Sequence, residues 1–316
     1  MRQHLYSFII GTFFIIGICL EAHAQQGFPD LTKDPNKAPF VYDDVQNFIR
    51  AYNLFTEEAD SLAILQKEYF DKGSPGLKEF VEKYQLNTDM LVKAIRKHPE
   101  KYGALNDMPE LLSAYSSLTR EEFAKLKSYI PDIVYPPTYF LIGAYRGIGS
   151  GSAEGQLITV ERWSNPIEGK TTMIVHELVH FQQVMAVGHE KYIALYGPEK
   201  NLLGLCIREG TAEFFANLVT GKITQHKAVD FTLKNEKRLW ELFIKEMHGR
   251  ETGDWMWSKP SDPEQPNLVG YVMGYRIVEA YYKNAKDKEQ ALREILSVTD
   301  YSTFLEKSEY PDQFVE

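Results

Sequence analysis

The stretch TTMIVHELVHFQQVMA, residues 171–186, decides how the middle of this chain folds. Its length and apolar spacing predict a helix, and apolar side chains lie on nearly every face of that helix. A helix of this kind is buried in the centre of a domain. It nevertheless contains His176, Glu177 and His180, polar groups that a buried helix tolerates only when they have partners.

These residues form an HExxH motif, HELVH at 176–180. On a helix the two histidines lie about 40° apart, so both imidazoles can bind one metal ion from adjacent turns. Glu177 is rotated by about 100° from His176 and can hydrogen-bond a metal-bound water without being a ligand. The alternative is two core-facing histidines with a glutamate between them. A chance HExxH is rare in a chain with 8 histidines, which favours the metal.

A second apolar stretch, LCIREGTAEFFANLVTG (205–221), places Glu209 and Glu213 one helical turn apart. Both carboxylates lie on an apolar face, where burial is costly unless a positive group meets them. A catalytic zinc takes three protein ligands, so we predict that Glu209 joins His176 and His180. Glu213 would then accept the outer N–H of a ligating histidine.

Other assignments of the second stretch stay open. Glu213 can be the ligand with Glu209 in support, or the helix can begin near Glu209 with both acids complementing its dipole. Cys206 is an alternative soft ligand, although a single cysteine among apolar residues is more often a core side chain. Gly210 would allow the two helices to approach closely at the metal.

The metzincin class of HExxH protein is excluded by the residues that follow the motif. That class has a glycine and a third histidine where this chain has Gln183 and Ala186. His189 and Glu190 lie in a polar segment and are expected to be exposed. The third ligand is therefore sought on the second helix.

Residues 1–24 have the pattern of a signal peptide. Arg2 precedes an apolar core at 8–20 and an Ala-His-Ala cleavage site at 22–24. The core is too short for a comfortable transmembrane helix, so we predict cleavage near Ala24-Gln25 and no later membrane span. The mature protein would be periplasmic or secreted, and an uncleaved anchor is the alternative.

Cysteine and charge content narrow the class of protein further. Cys19 would suit a lipoprotein, but Ile18 stands where a lipoprotein signal has a small residue. After cleavage only Cys206 remains, so an intramolecular disulfide is impossible. The net charge of −9 is spread along the chain, and no basic patch of the kind that binds nucleic acid is evident in the sequence. Nothing in the sequence predicts an oligomeric state.

The chain divides into two predicted regions after the signal peptide. Residues 25–131 are predicted to form a helical N-terminal region, because several segments between residues 42 and 130 have helix-period apolar spacing. Residues 132–316 form a core that starts with two strands, TYFLIGAY (138–145) and QLITVERW (156–163). A glycine-rich loop between these strands predicts a hairpin, and helices follow.

HELVH followed by REGTAEF resembles the gluzincin metallopeptidases, whose third zinc ligand is a glutamate on the next core helix. Together with GYVMGYRIVEAYY (270–282), these segments are more closely similar to a family of predicted secreted bacterial zinc-dependent proteases. That family often has Asp where this chain has Glu213. The resemblance implies an α+β fold for the core, predominantly helical and zincin-like, with a small β-sheet.

The same resemblance implies where a substrate would bind. An edge strand before the HExxH helix would hold it in extended form. The residues of that strand are Leu157, Ile158, Thr159 and Val160. A later tyrosine, Tyr271 or Tyr275, would stabilise the oxyanion, and Arg276 would reach a substrate carboxylate. Core packing is the alternative for these tyrosines.

The predicted function is an exported metallopeptidase with one Zn²⁺ per chain and a peptide or protein substrate. Zinc held by His176, His180 and Glu209 would lower the pKa of its water to about 7. Glu177 would take the water's proton and pass it to the leaving amine. Two other functions stay open: a zinc hydrolase of non-peptide amides or esters, and a catalytically inactive zincin-fold protein that binds or assembles in the cell envelope.

Overall fold

Helices fill the N-terminal region, as its apolar spacing predicts. The computed structural model describes residues 31–56, 60–163 and 169–314, so the predicted signal peptide lies outside the described residues. Side chains of Asp60, Ser74 and Asn87 cap three of the helices, each contributing about 1 kcal/mol. The helices are α1 (Asp43–Asn53), α2 (Ser61–Leu65), α3 (Pro75–Tyr84), α4 (Thr88–Lys97), α5 (Pro99–Gly103) and α6 (Met108–Tyr129).

One mixed sheet of four strands follows the order β1-β2-β4-β3. The strands are β1 (Phe40–Val41), β2 (Thr138–Leu141), β3 (Gly149–Gly151) and β4 (Gln156–Thr159). β2 and β4 are parallel, and β3 is antiparallel to β4. The predicted hairpin of 138–145 with 156–163 is therefore wrong. Parallel neighbours cannot be joined by a tight turn, and the glycine-rich segment between them contains β3.

The strand predicted to bind substrate is interior to this sheet. Val160 N donates to Leu141 O on one side at 3.0 Å, and Thr159 N donates to Ile148 O on the other at 3.0 Å. Peptides add only to an unpaired strand edge, so this substrate-binding prediction is wrong. Among the described strands, the free edge on this side belongs to β3. The four predicted residues, Leu157, Ile158, Thr159 and Val160, are each at most 1% exposed.

The C-terminal region packs helices around two buried ones. α9 begins at Leu202, with the Asn201 side chain accepting from Gly204 N at 2.8 Å, and ends before Gly221 at φ 69°. Its start at Leu202 excludes a helix that begins near Glu209. The helices are α7 (Lys170–Val187), α8 (His189–Ala194), α9 (Leu202–Thr220), α10 (His226–Glu246), α11 (Val269–Asn284), α12 (Lys288–Leu296) and α13 (Tyr301–Ser308).

Gly210 permits a close helix crossing, but with a different partner from the predicted one. A Cβ added at Gly210 would lie 2.0 Å from the carbonyl carbon of Gly274. A Cβ added at Gly274 would lie 1.7 Å from the carbonyl oxygen of Cys206. α9 therefore touches α11 backbone to backbone, rather than α7. Cys206 is fully buried there, 3.9 Å from the Met256 sulfur, as a core side chain.

The two predicted regions share one core. β1 belongs to the N-terminal region and pairs with β2 of the later region, with Phe40 opposite Thr138. A continuous cluster of buried apolar side chains extends from Val45 in α1 to Tyr310 near the end of the chain. Within the described part, no helix is long and apolar enough to cross a lipid bilayer. The predicted α+β class, mostly helical with a small sheet, is confirmed.

Candidate metal centre

Three buried donor groups meet where α7 passes α9. His176 Nε2 and His180 Nε2 lie 3.1 Å apart, and Glu209 Oε2 lies 3.4 and 3.0 Å from them. A tetrahedral zinc with ligands at about 2.0–2.1 Å separates neighbouring donor atoms by about 3.3 Å. The three donors therefore have the spacing of three corners of a zinc tetrahedron.

The charges around this cluster favour a cation between the donors. Burial alone would lower the pKa of His176, but the carboxylates of Glu213 and Glu209 hold it well above its usual value. Burial would raise the pKa of Glu209, but His180 and His176 hold it below its usual range. Each group is thus stabilised in its charged form. Either protons or a metal ion can supply the positive charge that the carboxylates require.

His176 has a carboxylate behind it. Its Nδ1 lies 3.3 Å from Glu213 Oε1, although the alignment falls short of a hydrogen bond. Glu213 is fully buried and accepts from Thr224 N at 2.8 Å and from the Thr224 hydroxyl. A carboxylate in this position favours the proton on Nδ1, which leaves Nε2 to face the metal. Glu209, rather than Glu213, has its oxygen beside both Nε2 atoms.

His180 is held by Gln183, a residue that the sequence analysis did not assign to the site. Its Nδ1 lies 2.8 Å from Gln183 Oε1, and Gln183 Nε2 donates to Arg208 O at 3.1 Å. An amide oxygen only accepts, so Nδ1 carries a proton, and Nε2 is the nitrogen available to a metal ion. Gln183 could have been identified from the sequence, because it follows the predicted ligand His180 by three residues and therefore lies on the same face of the helix.

Gln183→Leu is expected to weaken zinc binding by about 10- to 100-fold, because His180 loses the group that fixes its tautomer and orientation. Competition with a chromophoric chelator measures this affinity. Gln182→Leu is the matched control, since Gln182 is equally buried but bonds Val134 N and O. That control should lower stability and leave zinc affinity unchanged. Equal zinc affinity in Gln183→Leu and the wild type would contradict this role for Gln183.

Glu177 lies beside the three donors and against the sheet. A Cβ added at Gly149 would lie 2.4 Å from Glu177 Oε1, so the carboxylate packs directly on the backbone of β3. Burial raises the pKa of the Glu177 carboxyl, and the neighbouring histidines oppose that rise. His176, Glu177, His180 and Glu209 are only 5%, 9%, 8% and 5% exposed. The cluster is therefore nearly closed to solvent.

Tyr271 reaches the cluster. Its ring stacks on that of His176, with centroids 6.0 Å apart and an interplanar angle of 9°. Its hydroxyl accepts from Trp257 Nε1 at 3.1 Å, which ties the Pro-rich loop 254–268 to the site. Burial, and then the charge of Glu209, raises the pKa of Tyr271 well above its usual value. Its hydroxyl thus stays protonated at neutral pH.

Tyr275 and Arg276 are committed elsewhere. The Tyr275 hydroxyl accepts from Asn217 Nδ2 at 3.1 Å and donates to Glu279 at 3.1 Å. Arg276 pairs with Glu236 at 2.7 Å and with Glu279. The polar groups of both side chains thus have structural partners, which agrees with the core-packing alternative for Tyr275 and does not support a role for Arg276 as a substrate anchor.

The N-terminal region supports the strand that borders the cluster. Glu79 of α3 accepts from the backbone N–H groups of Ala153 and Glu154, each at 3.1 Å. Lys83, one turn later, donates to Gly151 O at 3.2 Å. Helix α3 thereby clamps both β3 and the turn after it. A region with no predicted chemistry helps to position the edge of the site.

Comparison with known proteins identifies similarity in the C-terminal part. Residues 179–312 match a lipoprotein family model described as gliding motility protein GldB. This segment is less than half of the chain. It contains His180, Glu209 and Glu213 but begins after His176 and Glu177. No curated protein sequence and no solved structure matches the chain.

This match contradicts the predicted zinc metallopeptidase and its protease classification, because the matched family is described by gliding motility. The HExxH spacing predicts that two histidines can bind one metal ion. The same spacing suits a metal site in a protein that hydrolyses nothing. The alternative of an envelope binding or assembly protein agrees better with the match. Similarity to a lipoprotein family also indicates a location in the cell envelope.

Proposed function

We propose that this protein is a cell-envelope binding or assembly component of the gliding-motility type, with a metal site that stabilises the fold and does not hydrolyse a substrate. The family match over residues 179–312 carries this proposal. The matched segment includes α9 and α11, the helices that supply Glu209 and Tyr271 to the metal centre. The matched segment thus contains two of the three proposed zinc ligands, His180 and Glu209, while His176 precedes it.

One Zn²⁺ per chain is the proposed cofactor, held by His176, His180 and Glu209. The donor separations of 3.0–3.4 Å support this ligand set. The low exposure of the ligands supports a stabilising ion, since a substrate must reach the open position of a catalytic zinc. Joining α7 to α9 through a metal adds its binding free energy to folding. The gluzincin resemblance is proposed to reflect this fold and ligand set.

The proposed location is the outer face of the inner membrane or beyond, reached by export. Cleavage near Ala24-Gln25 would release a periplasmic or secreted protein. The lipoprotein match favours a second outcome, with a lipid on Cys19 as the first residue of the mature chain. The intact mass of the protein isolated from envelopes separates the two, because only one carries acyl chains and residues 19–24.

Deleting the gene in the producing bacterium is expected to abolish spreading over a surface. Glu177→Gln should restore spreading as well as the wild type does, because a stabilising metal site needs no general base. Glu209→Ala should restore it poorly, because the variant loses its metal. Normal spreading after deletion would contradict the proposal. A folded, zinc-loaded Glu177→Gln protein that fails to restore spreading would show that hydrolysis is required.

A further inference from the structure

Arg208 is a buried cation whose contacts are all neutral. The residue is 4% exposed. Its Nη1 donates to the Tyr192 carbonyl, and its Nη2 donates to the Tyr301 hydroxyl at 3.2 Å. The guanidinium carbon lies 4.0 Å from the ring centre of Tyr192 and 5.1 Å from that of Tyr196. No carboxylate of the described residues forms an ion pair with it.

No acidic side chain of the described residues is placed to balance this charge. Arginine stays protonated inside proteins, and buried charges are normally paired because desolvation is costly. The adjacent carboxylate of Glu209 faces the two histidines of the metal centre. Burial raises the pKa of Tyr192 and of Tyr301, so both hydroxyls are neutral at physiological pH. Within the described part of the chain nothing supplies the balancing negative charge, which an anion from solution would provide.

A small pocket opens at the guanidinium. It has room for about one water-sized guest. The Tyr301 hydroxyl offers a second polar contact, while Val187, Leu296 and Val298 supply apolar walls. Phosphate and sulfate are too large for this space. A monatomic anion fits both the size and the mixture of one cation with apolar walls.

We propose that the Arg208 pocket binds chloride. The guanidinium N–H groups and the Tyr301 hydroxyl would donate to the ion, and the apolar side chains would exclude competing water. The pocket shares Gln183 with the metal centre but contains none of the three proposed zinc ligands, and it does not require the motility function. Chloride would neutralise a charge next to Glu209 and stabilise the packing of α8, α9 and α13, which supply Tyr192, Arg208 and Tyr301.

Chloride binding is tested in solution on the full mature protein. Replacing gluconate by chloride at constant ionic strength should raise the Tm by about 2–4 °C, as expected for a ligand that binds only the folded state. Tyr301→Phe should reduce this rise, and Arg208→Met should remove it. Arg276→Gln is the matched control: its guanidinium has Glu236 and Glu279 as partners, so the chloride response should persist.

Bromide soaked into chloride-free crystals locates the ion by its anomalous signal. A peak at Arg208, together with the Tm response, supports the proposal. An empty pocket, or equal Tm values in chloride and gluconate, overturns it. A bromide peak without a Tm response shows an adventitious ion only and also overturns it. Tyr301→Phe keeps the test decisive if Arg208→Met does not fold.

Discussion

Glu209→Ala should abolish zinc binding by the purified protein and, with it, the rise in Tm that we expect zinc to produce in the wild type. The Glu209 oxygen lies 3.0 and 3.4 Å from the two histidine nitrogens, so its loss leaves only two protein ligands. We expect zinc affinity to fall on the order of 10³-fold, or about 4 kcal/mol. Elemental analysis should give about one zinc per wild-type chain and almost none in the variant.

Two companion variants make this result specific. Glu177→Gln changes a neighbour that is not a donor, so it should keep its zinc. Glu213→Ala removes the carboxylate behind His176 and should weaken binding by only about 10- to 100-fold. If Glu213→Ala lost all zinc while Glu209→Ala kept it, the ligand would be Glu213, the assignment that the sequence left open. Full zinc retention in both variants would exclude Glu209 and Glu213 as the third zinc ligand.

Local patterns explain why the donor set of this site was predictable. The two histidines of α7 share a face because they are four residues apart, whatever surrounds the helix. The first residue of α9 was harder to predict. Asn201 caps the helix, but it is recognised as the cap only after the helix is seen to begin at Leu202. The spacing of polar residues along one buried helix can be recognised without knowing what packs against that helix.

Non-local contacts explain the errors. The position of β4 between β2 and β3 depends on pairing between distant segments, and the alternation of its own residues cannot reveal it. Gly210 signals a close approach but not which helix approaches, and Gly274 of α11 supplies that contact. Tyr275 faces Asn217 and Glu279 instead of the cluster for the same reason.

Metal-ligand spacing alone does not make a protein a hydrolase. HExxH specifies two ligands and a nearby carboxylate, and these are equally compatible with a stabilising ion. Hydrolysis also requires substrate access, which depends on how β3 and the loop carrying Trp257 cover the cluster. The segments that cover the cluster contain no recognisable motif, so the sequence does not predict whether a substrate can reach it. The closed site and the family match therefore bear on function more directly than the HExxH motif does.

Gly274→Ala is expected to destabilise the protein by more than about 4 kcal/mol or to prevent folding. Overpacking usually costs about 1–3 kcal/mol, because side chains can shift to make room. Here the new methyl would meet the Cys206 carbonyl oxygen at 1.7 Å, a backbone atom that no rotamer change can move. The two helices would have to separate along their crossing.

The packing of α9 on α11 is tested by measuring the free energy of unfolding in urea for Gly274→Ala and for a control variant at another helical glycine. Gly103→Ala also adds a methyl to a helical glycine, but the nearest atom there is the Tyr52 hydroxyl at 3.8 Å. That variant should be neutral or more stable by up to about 1 kcal/mol, since alanine favours helix. Equal stability of Gly274→Ala and Gly103→Ala would contradict the packing. Gly210→Ala pushes on the same contact beside Glu209, so it should lower both stability and zinc affinity.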